Sequence, residues 1–211
     1  MAIKLGDEAK MQNGTIVYLY GDSLYINLTN KCPNSCNFCI RNYTDNLGDA
    51  DNLWLEREPS ADEVLSRIKE EICEKKTTVD EIIFCGYGEP TERLEEIIDI
   101  SRGIKEFTDK PIRINTNGMA DLIHKKKTAH LLEGVVDAVS VSLNAPTAEK
   151  YCDLCHPEFG TESFDAILKW TEDIKKYVPD VRMSVVGVIS EEDIQECRKI
   201  AENLGVKFRV R

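Results

Sequence analysis

Apolar and polar positions change their period along the chain, from strand-like alternation to helix-like spacing and back. The alternation over 15–20 and 23–28 surrounds Gly21-Asp22 and predicts a two-residue type II′ hairpin, because glycine tolerates the first central position of that turn. Two kinds of segment then follow in turn: strand patterns near 24–30, 81–86, 112–117, 138–144, 181–187 and 206–210, and helical patterns near 61–76, 91–108, 121–133, 163–178 and 191–204.

This order of strands and helices predicts βαβ units and a parallel sheet with right-handed connections. Six such strands are too few for a closed eight-stranded barrel. We therefore predict an α/β fold, a partial (βα)6 barrel whose open parallel sheet has its helices outside. The predicted division is an N-terminal hairpin extension over 1–23 and one partial-barrel domain over 24–211.

The strands have one apolar and one polar face, since side chains alternate along a strand. The apolar faces must pack against the helices, so the polar faces should line an inner lumen suited to a polar ligand; the alternative is that the polar faces meet solvent. The motifs at the carboxyl ends of the strands should then meet, as active sites of α/β barrels do. The polar-face residues are Asn27 and Thr29, Arg113, Asn115 and Asn117, Ser140, Ser142 and Asn144, and Arg209 and Arg211.

Composition narrows the class of protein. The 211 residues carry a net charge of −11, which argues against non-specific binding to nucleic acid or to an anionic membrane. No stretch approaches 18 consecutive apolar residues, and no signal peptide opens the sequence, so we expect a cytoplasmic protein without a membrane span. Its eight cysteines should then be reduced thiols, metal ligands or packing residues.

Three of those cysteines, Cys32, Cys36 and Cys39, lie within eight residues directly after the first strand of the parallel sheet. Three thiolates in one loop suit three irons of a cubane cluster and leave the fourth iron open, whereas a structural zinc site requires four ligands. The alternative is that three buried cysteines only pack. A second motif, Gly86-Tyr-Gly-Glu-Pro90, ends the next strand, where carbonyl groups and the Glu89 carboxylate form an acceptor-rich corner suited to an ammonium group.

The CxxxCxxC loop followed by the GxGEP corner resembles the radical SAM superfamily. The string from Tyr20 to Cys32, together with Gly86–Pro90 and Ser142–Pro146, looks most like the TatD family-associated radical SAM proteins. The resemblance implies an enzyme with a [4Fe–4S] cluster on the three cysteines, whose open iron chelates S-adenosylmethionine. One electron would cleave this cofactor to methionine and a 5′-deoxyadenosyl radical, which abstracts a substrate hydrogen. It also implies a reductant of flavodoxin or ferredoxin type.

The same resemblance assigns cofactor contacts residue by residue. Phe38 would meet the adenine through its backbone, Ser142 and Asn144 would contact the ribose, and Val186 with Gly187 would pack against adenine. The resemblance also assigns the methionine ammonium to Tyr87, Gly88 and Glu89. From their place on the strands, Asn115 and Asn117 should bond the methionine carboxylate or the substrate, and Arg209, which faces inward, should pair either with a carboxylate or in a surface salt bridge. Tyr87 departs from the commoner double glycine of the family.

Other interpretations stay open at this stage. A non-catalytic iron–sulfur electron carrier would need neither the corner nor a polar lumen, and a zinc-binding interaction module is a third class. Cys152-Asp-Leu-Cys155-His156 suits zinc or a second cluster but has no partner pair. The substrate is a peptide or protein, or a small heterocycle. Either a basic partner docks across the edge between the first and last strands, or the loop 42–54 closes over the site.

Overall fold

A single seven-stranded sheet organises the computed structural model, which describes residues 14–211. The strands are β1 Val17–Tyr20, β2 Ser23–Ile26, β3 Glu81–Phe84, β4 Ile112–Thr116, β5 Ala138–Ser142, β6 Asp180–Val185 and β7 Lys207–Val210. They lie side by side in chain order; β1 pairs antiparallel with β2, and every later pair is parallel. The predicted open α/β partial barrel with an N-terminal hairpin is confirmed. Residues 1–13 of the predicted extension lie outside the described residues.

The hairpin turns as its sequence predicts. Gly21 has φ +59, whereas Asp22 is not in the positive-φ region, which is the φ pattern of a type II′ turn. The strand β2 is shared by the hairpin and the parallel sheet, because it pairs with β1 on one side and β3 on the other. The boundary between an extension and a barrel domain therefore stays a prediction.

Six helices connect the strands: α1 Ala61–Lys69, α2 Leu94–Lys105, α3 Ala120–His124, α4 Ala148–Cys155, α5 Glu162–Ile174 and α6 Glu191–Leu204. The Ser60 and Ser190 side chains cap α1 and α6 by accepting from Glu63 N and Asp193 N. The single helix predicted over 121–133 is wrong, because Lys125 adopts a left-handed conformation and ends α3. The short helix α4 was missed; its eight residues give too brief a period to detect.

The two faces of the sheet differ in the way that the alternation predicted. The apolar strand residues pack with the helices in one core, which includes Ile82, Ile114, Val139 and Met183. Their neighbours in sequence belong to the opposite face, which we call the inner face. It carries Asn115, Ser142, Arg209 and the other polar strand residues singled out above. The polar faces therefore line the inner side of the partial barrel.

Candidate functional site

The three-cysteine loop follows β2 and is held at the carboxyl ends of the strands. Backbone bonds tie it to the end of α4: Ser35 N donates to Cys155 O at 3.0 Å, and Asn37 N donates to Leu154 O at 3.0 Å. The Asn34 amide donates to the Tyr151 hydroxyl at 2.9 Å. One helix that the sequence patterns had not revealed therefore fixes the middle of the cysteine loop.

The cysteines of this loop, Cys32, Cys36 and Cys39, are all half-buried, so their sulfur atoms are neither sealed in the core nor free on the surface. Burial raises the pKa of the Cys32 thiol to about 12, so iron must displace this proton on binding. The Cys36 thiol hydrogen-bonds to Cys155, which raises the pKa of Cys36 and lowers that of Cys155.

Among residues 14–211, no three His, Cys, Asp or Glu side chains converge as ligands of one metal ion. A zinc site requires such convergence, so the zinc alternatives gain no support from the described part of the chain. A cubane cluster requires something else, because each thiolate binds a different iron and the ligands surround the cluster. In the Cys152–His156 segment, Cys155 is buried beside Cys36, and His156 Nε2 lies 3.0 Å from Asn37 Oδ1.

The Gly86–Pro90 corner packs directly on the end of β2 and needs its glycines. A Cβ atom on Gly86 would lie 2.1 Å from Asn27 Oδ1, and one on Gly88 would lie 2.3 Å from Thr29 O. The next residue ties the corner to the cysteine loop, since Glu89 N donates to Lys31 O at 2.8 Å. The two motifs that are 50 residues apart in sequence are therefore neighbours in space.

The Glu89 side chain is 4% exposed and braces this corner against the end of β4. Its Oε1 accepts from Thr91 N at 3.0 Å, from Thr91 Oγ1 at 2.6 Å and from Thr116 Oγ1 at 2.7 Å; its Oε2 accepts from Asn117 N at 2.7 Å. Burial raises the pKa of Glu89 while these donors oppose the rise. Each carboxylate oxygen offers about two acceptor positions, so the intramolecular donors saturate Oε1 and leave one position on Oε2.

Tyr87 has a role that the sequence did not supply. Its buried ring contacts Trp54 edge to face, with ring centroids 5.1 Å apart, and its hydroxyl donates to Thr44 O. The ring belongs to a small apolar cluster with Tyr18, Ala50 and Leu53. The side chain that replaces the commoner glycine thus anchors the 42–54 loop to the corner.

Two buried amides at the ends of β4 and β5 have polar atoms without partners among the described residues, namely Asn117 Nδ2 and Asn144 Oδ1. Asn117 Oδ1 accepts from Met119 N at 2.9 Å, and Asn144 Nδ2 lies 3.8 Å from Cys155 Sγ, so both side chains are held in place. A buried polar atom without a partner costs free energy. One donor and one acceptor at the same sheet edge fit a polar ligand, and this supports a bound cofactor.

The other predicted contact residues occupy the same edge or the inner face. Asn115 hydrogen-bonds to the Cys85 sulfur and accepts from Arg113, and Ser142 accepts from Arg211 at 3.0 Å. The backbone of Gly187 is already engaged, because its N–H donates to Arg211 O. The remaining residues lie as follows: Phe38 and Val186 half-buried, Arg209 exposed on the inner face of β7.

Sequence reasoning missed Thr116, which braces Glu89. It had noted Cys155 and Arg211, the first in a CxxC pair and the second by strand parity on the polar face, but it did not predict that Cys155 meets Cys36 or that Arg211 reaches Ser142. Thr116 lies on the opposite parity, and Cys155 lies on the unrecognised helix α4.

Solved structures of similar fold come from several radical SAM proteins. A radical SAM methyltransferase from Sphaerobacter thermophilus is 19% identical with a TM-score of 0.61, covering 92% of this chain and 57% of that chain. SuiB from Streptococcus suis, bound to S-adenosylmethionine, is 17% identical with a TM-score of 0.58, covering 90% of this chain and 37% of that chain. Native anSMEcpe with bound AdoMet and Cp18Cys peptide is 19% identical with a TM-score of 0.62, covering 89% of this chain and 50% of that chain.

The chain spans 37% to 57% of the length of these three proteins, and the likeness at such low identity is one of fold. A family model described as the radical SAM superfamily matches residues 26–204, which include the cysteine loop, the corner and the polar ends of β4 and β5. The chain belongs to the radical SAM superfamily, whose members are enzymes that use a [4Fe–4S] cluster and S-adenosylmethionine.

Proposed function

We propose that this chain is a radical enzyme that generates a 5′-deoxyadenosyl radical and abstracts a hydrogen atom from its substrate. When bound, the cluster supplies the one electron that cleaves S-adenosylmethionine reductively to methionine and this radical. The observation that carries the proposal is the meeting of the cysteine loop, the Gly86–Pro90 corner and two unpartnered buried amides at one sheet edge. A simple electron carrier would need only the first of these.

The cluster ligands in this proposal are Cys32, Cys36 and Cys39. Their chain segment is fastened to α4 and to the corner, which fixes the position of the loop before any cofactor binds. Preorganised ligands matter because a site that is loose by about an ångström loses function. A flavodoxin- or ferredoxin-type protein is the proposed electron donor, since the cofactor chemistry requires one reducing equivalent for each cleavage.

The methionine end of the cofactor is assigned to the corner and to β4. Within residues 14–211, no hydrogen-bond donor reaches the carbonyl oxygens of Tyr87 and Gly88, so these acceptors are available for the ammonium group. Direct contact between the ammonium and Glu89 stays a prediction, because three donors already occupy Oε1 and only Oε2 keeps an acceptor position. The free Asn117 Nδ2 donor suits the methionine carboxylate, and Asn115 is assigned to that group or to the substrate.

The nucleoside end is assigned to the loop and to β5 and β6. The free Asn144 Oδ1 acceptor suits a ribose hydroxyl, and Ser142 lies two residues before it on the same face. The adenine is assigned to the backbone of Phe38 and to Val186 with Gly187. These contacts rest on the family pattern.

For the substrate we propose a peptide or protein, and the structure of anSMEcpe bound to a Cp18Cys peptide supports this class by its likeness in fold. A small heterocycle is the second candidate. Membership of the TatD family-associated group remains the finer proposal, carried by the strings quoted above. No helix within residues 14–211 is long and apolar enough to cross a membrane.

Closure of the site is proposed to come from a partner with basic surface that docks across the edge between β1 and β7, attracted by the net charge of −11. The alternative lid, the 42–54 loop, is fixed to the β1 side. Leu19 N donates to Asp49 Oδ1 at 2.6 Å, and Asp49 N donates to Leu19 O at 3.0 Å. The contacts with Tyr87 and Trp54 hold it there too, which favours the partner.

The test uses protein whose cluster is reconstituted under anaerobic conditions and reduced with dithionite, with 5′-deoxyadenosine measured by chromatography. We expect four irons and four sulfides per chain, and cleavage of S-adenosylmethionine. Replacing Cys32, Cys36 or Cys39 with alanine should abolish both. Cys73→Ala is the matched control, because this cysteine is exposed in the turn Glu70–Glu74 that follows α1 and should leave iron and product unchanged. A full cluster without any cleavage would instead identify an electron carrier.

A further inference from the structure

The inner face of the sheet has a charge opposite to that of the whole protein. Its residues in the strands, with Arg211 directly after β7, include five cations and only two anions, in a chain whose net charge is −11. The cations are Arg113, Arg182, Lys207, Arg209 and Arg211, and the anions are Glu81 and Asp180. Such a local excess of positive charge inside a concave face focuses the field on an anionic ligand.

Both anions are already neutralised by other residues. Glu81 binds Arg113 in a two-point arrangement, with Nε to Oε2 at 3.0 Å and Nη2 to Oε1 at 2.6 Å. Asp180 accepts from Arg182 at 2.6 Å and from Lys207 at 2.9 Å. Among the described residues, Arg209 and Arg211 have no carboxylate partner.

The position of Arg211 is fixed by the sheet. Its backbone N donates to Val185 O at 2.9 Å, and its carbonyl accepts from Gly187 N at 3.0 Å, so the residue extends the pairing of β7 with β6. The side chain crosses toward β5, where Nη2 donates to Ser142 Oγ at 3.0 Å. This single neutral contact leaves four of the five guanidinium N–H donors without an assigned acceptor in the described part of the chain.

The surroundings of this guanidinium are unfavourable for an unpaired charge. Burial lowers the pKa of Arg211, and the nearby cations Arg209 and Arg113 lower it further. The residue as a whole nevertheless keeps an exposed surface. A charge with several protein neighbours is stable when it is paired, and arginine pairs best with planar or tetrahedral oxyanions.

We propose that Arg211, with Arg209 beside it, binds an oxyanion of the substrate, a carboxylate or a phosphate, inside the partial barrel. The inference rests on the proposed function, since it concerns the substrate of that same site. It adds that the molecule presented to the radical carries a negative group. This group lies on the inner face over β6, between β5 and β7, and accepts hydrogen bonds from the guanidinium donors. Ser142 then orients Arg211 from the other side.

The test is equilibrium dialysis of the holoenzyme with saturating S-adenosylmethionine, using labelled inorganic phosphate or labelled malonate at constant ionic strength. We expect saturable binding of at least one of the two anions, with about one site per chain. Arg211→Gln should weaken it about tenfold or more, because hydrogen bonds to charged groups are lost, and Arg209→Gln should weaken it less. Arg198→Gln is the control; this arginine lies over the Phe208 ring on the opposite face and should change binding less than twofold.

Tighter phosphate binding would identify a phosphorylated substrate, and tighter malonate binding would identify a carboxylate; both support the site. The inference fails if neither anion binds saturably, if Arg211→Gln binds like Arg198→Gln, or if S-adenosylmethionine displaces the anion, since Arg211 would then serve the cofactor. The proposed function is judged separately by 5′-deoxyadenosine formation in the wild-type protein. Cleavage without anion binding refutes only the substrate inference, whereas absence of cleavage refutes the function.

Discussion

Replacing Glu89 with glutamine tests whether this carboxylate stabilises the folded Gly86–Pro90 corner or serves only to bind the cofactor. Glutamine keeps the shape of the side chain but offers one oxygen and one amide nitrogen. With its oxygen toward Thr91 and Thr116, the amide nitrogen faces Asn117 N, which now donates to Oε2 at 2.7 Å. If the amide is reversed, the nitrogen meets the Thr91 N–H, whereas the Thr91 and Thr116 hydroxyls can rotate to accept from it. In either orientation two donors oppose each other in a buried site.

The magnitude follows from the number and kind of bonds. Hydrogen bonds to a charged group contribute about 1.5–3 kcal/mol each against about 1 for neutral ones, and a buried donor left without a partner costs about 1–3 kcal/mol. Part of this loss is offset, because burial raises the pKa of Glu89 and the neutral amide avoids that desolvation cost. We expect Glu89→Gln to lower the free energy of unfolding by about 2–4 kcal/mol, or the melting temperature by about 5–15 °C.

The assay is urea unfolding of the cluster-free protein, followed by circular dichroism, with Glu92→Gln as the matched control. Glu92 lies three residues away and its side chain makes no hydrogen bond among the described residues, so its variant should stay within about 0.5 kcal/mol of the wild type. Thr116→Val should destabilise as well, and the double variant should lose less than the sum. Equal stability of Glu89→Gln and Glu92→Gln would refute the bracing role. A fall in S-adenosylmethionine affinity alone would show direct contact.

Three further predictions concern the corner, its loop and the surface. Gly88→Ala should destabilise the protein by about 1–3 kcal/mol in thermal unfolding, because its Cβ would lie 2.3 Å from a backbone oxygen; unchanged stability would contradict the close packing. Tyr87→Phe should speed amide hydrogen exchange in 43–53, with exchange in α6 as the internal control, because the bond to Thr44 is lost; equal exchange would show that the ring alone anchors the loop. Two lysines lower the pKa of Asp173 to about 2, so its stabilisation is present above the unfolded value near 4 and is lost toward pH 2. Asp173→Asn should therefore lower the free energy of unfolding by at most about 1 kcal/mol at pH 7, and by less at pH 2, in urea unfolding. A stability difference between wild type and variant that grows in acid would contradict the stabilising role of the Asp173 carboxylate.

The strand pattern shows how local periodicity determines a fold. Side chains alternate strictly along a strand, so the sequence around Asn115 and Ser142 already implied which residues share a face. The helices of ordinary length were predicted for the same reason, with errors at their ends. The prediction failed at Lys125, where a left-handed residue ends a helix within an apolar pattern that continues, and at α4, which is too short to show its period.

The candidate site divides in the same way. The sequence by itself determined the chemical types, because three cysteines at fixed spacing and a glycine-rich corner with Glu89 are visible without any fold. Only the tertiary structure decided which groups are already engaged: donors from Thr91 and Thr116 saturate Oε1 of the Glu89 carboxylate, and Asn117 N binds Oε2.

The same holds for the two arginines at the end of β7. Parity placed both on the polar face, but their pairing depends on which carboxylates other strands bring near. The sheet brings Glu81 to Arg113 and Asp180 to Arg182, and within residues 14–211 it leaves the Arg211 side chain with a single neutral partner. Spacing along a chain fixes which residue types are available and which face they occupy. Which of them remain free to bind depends on contacts between distant segments, and those form only when the strands assemble.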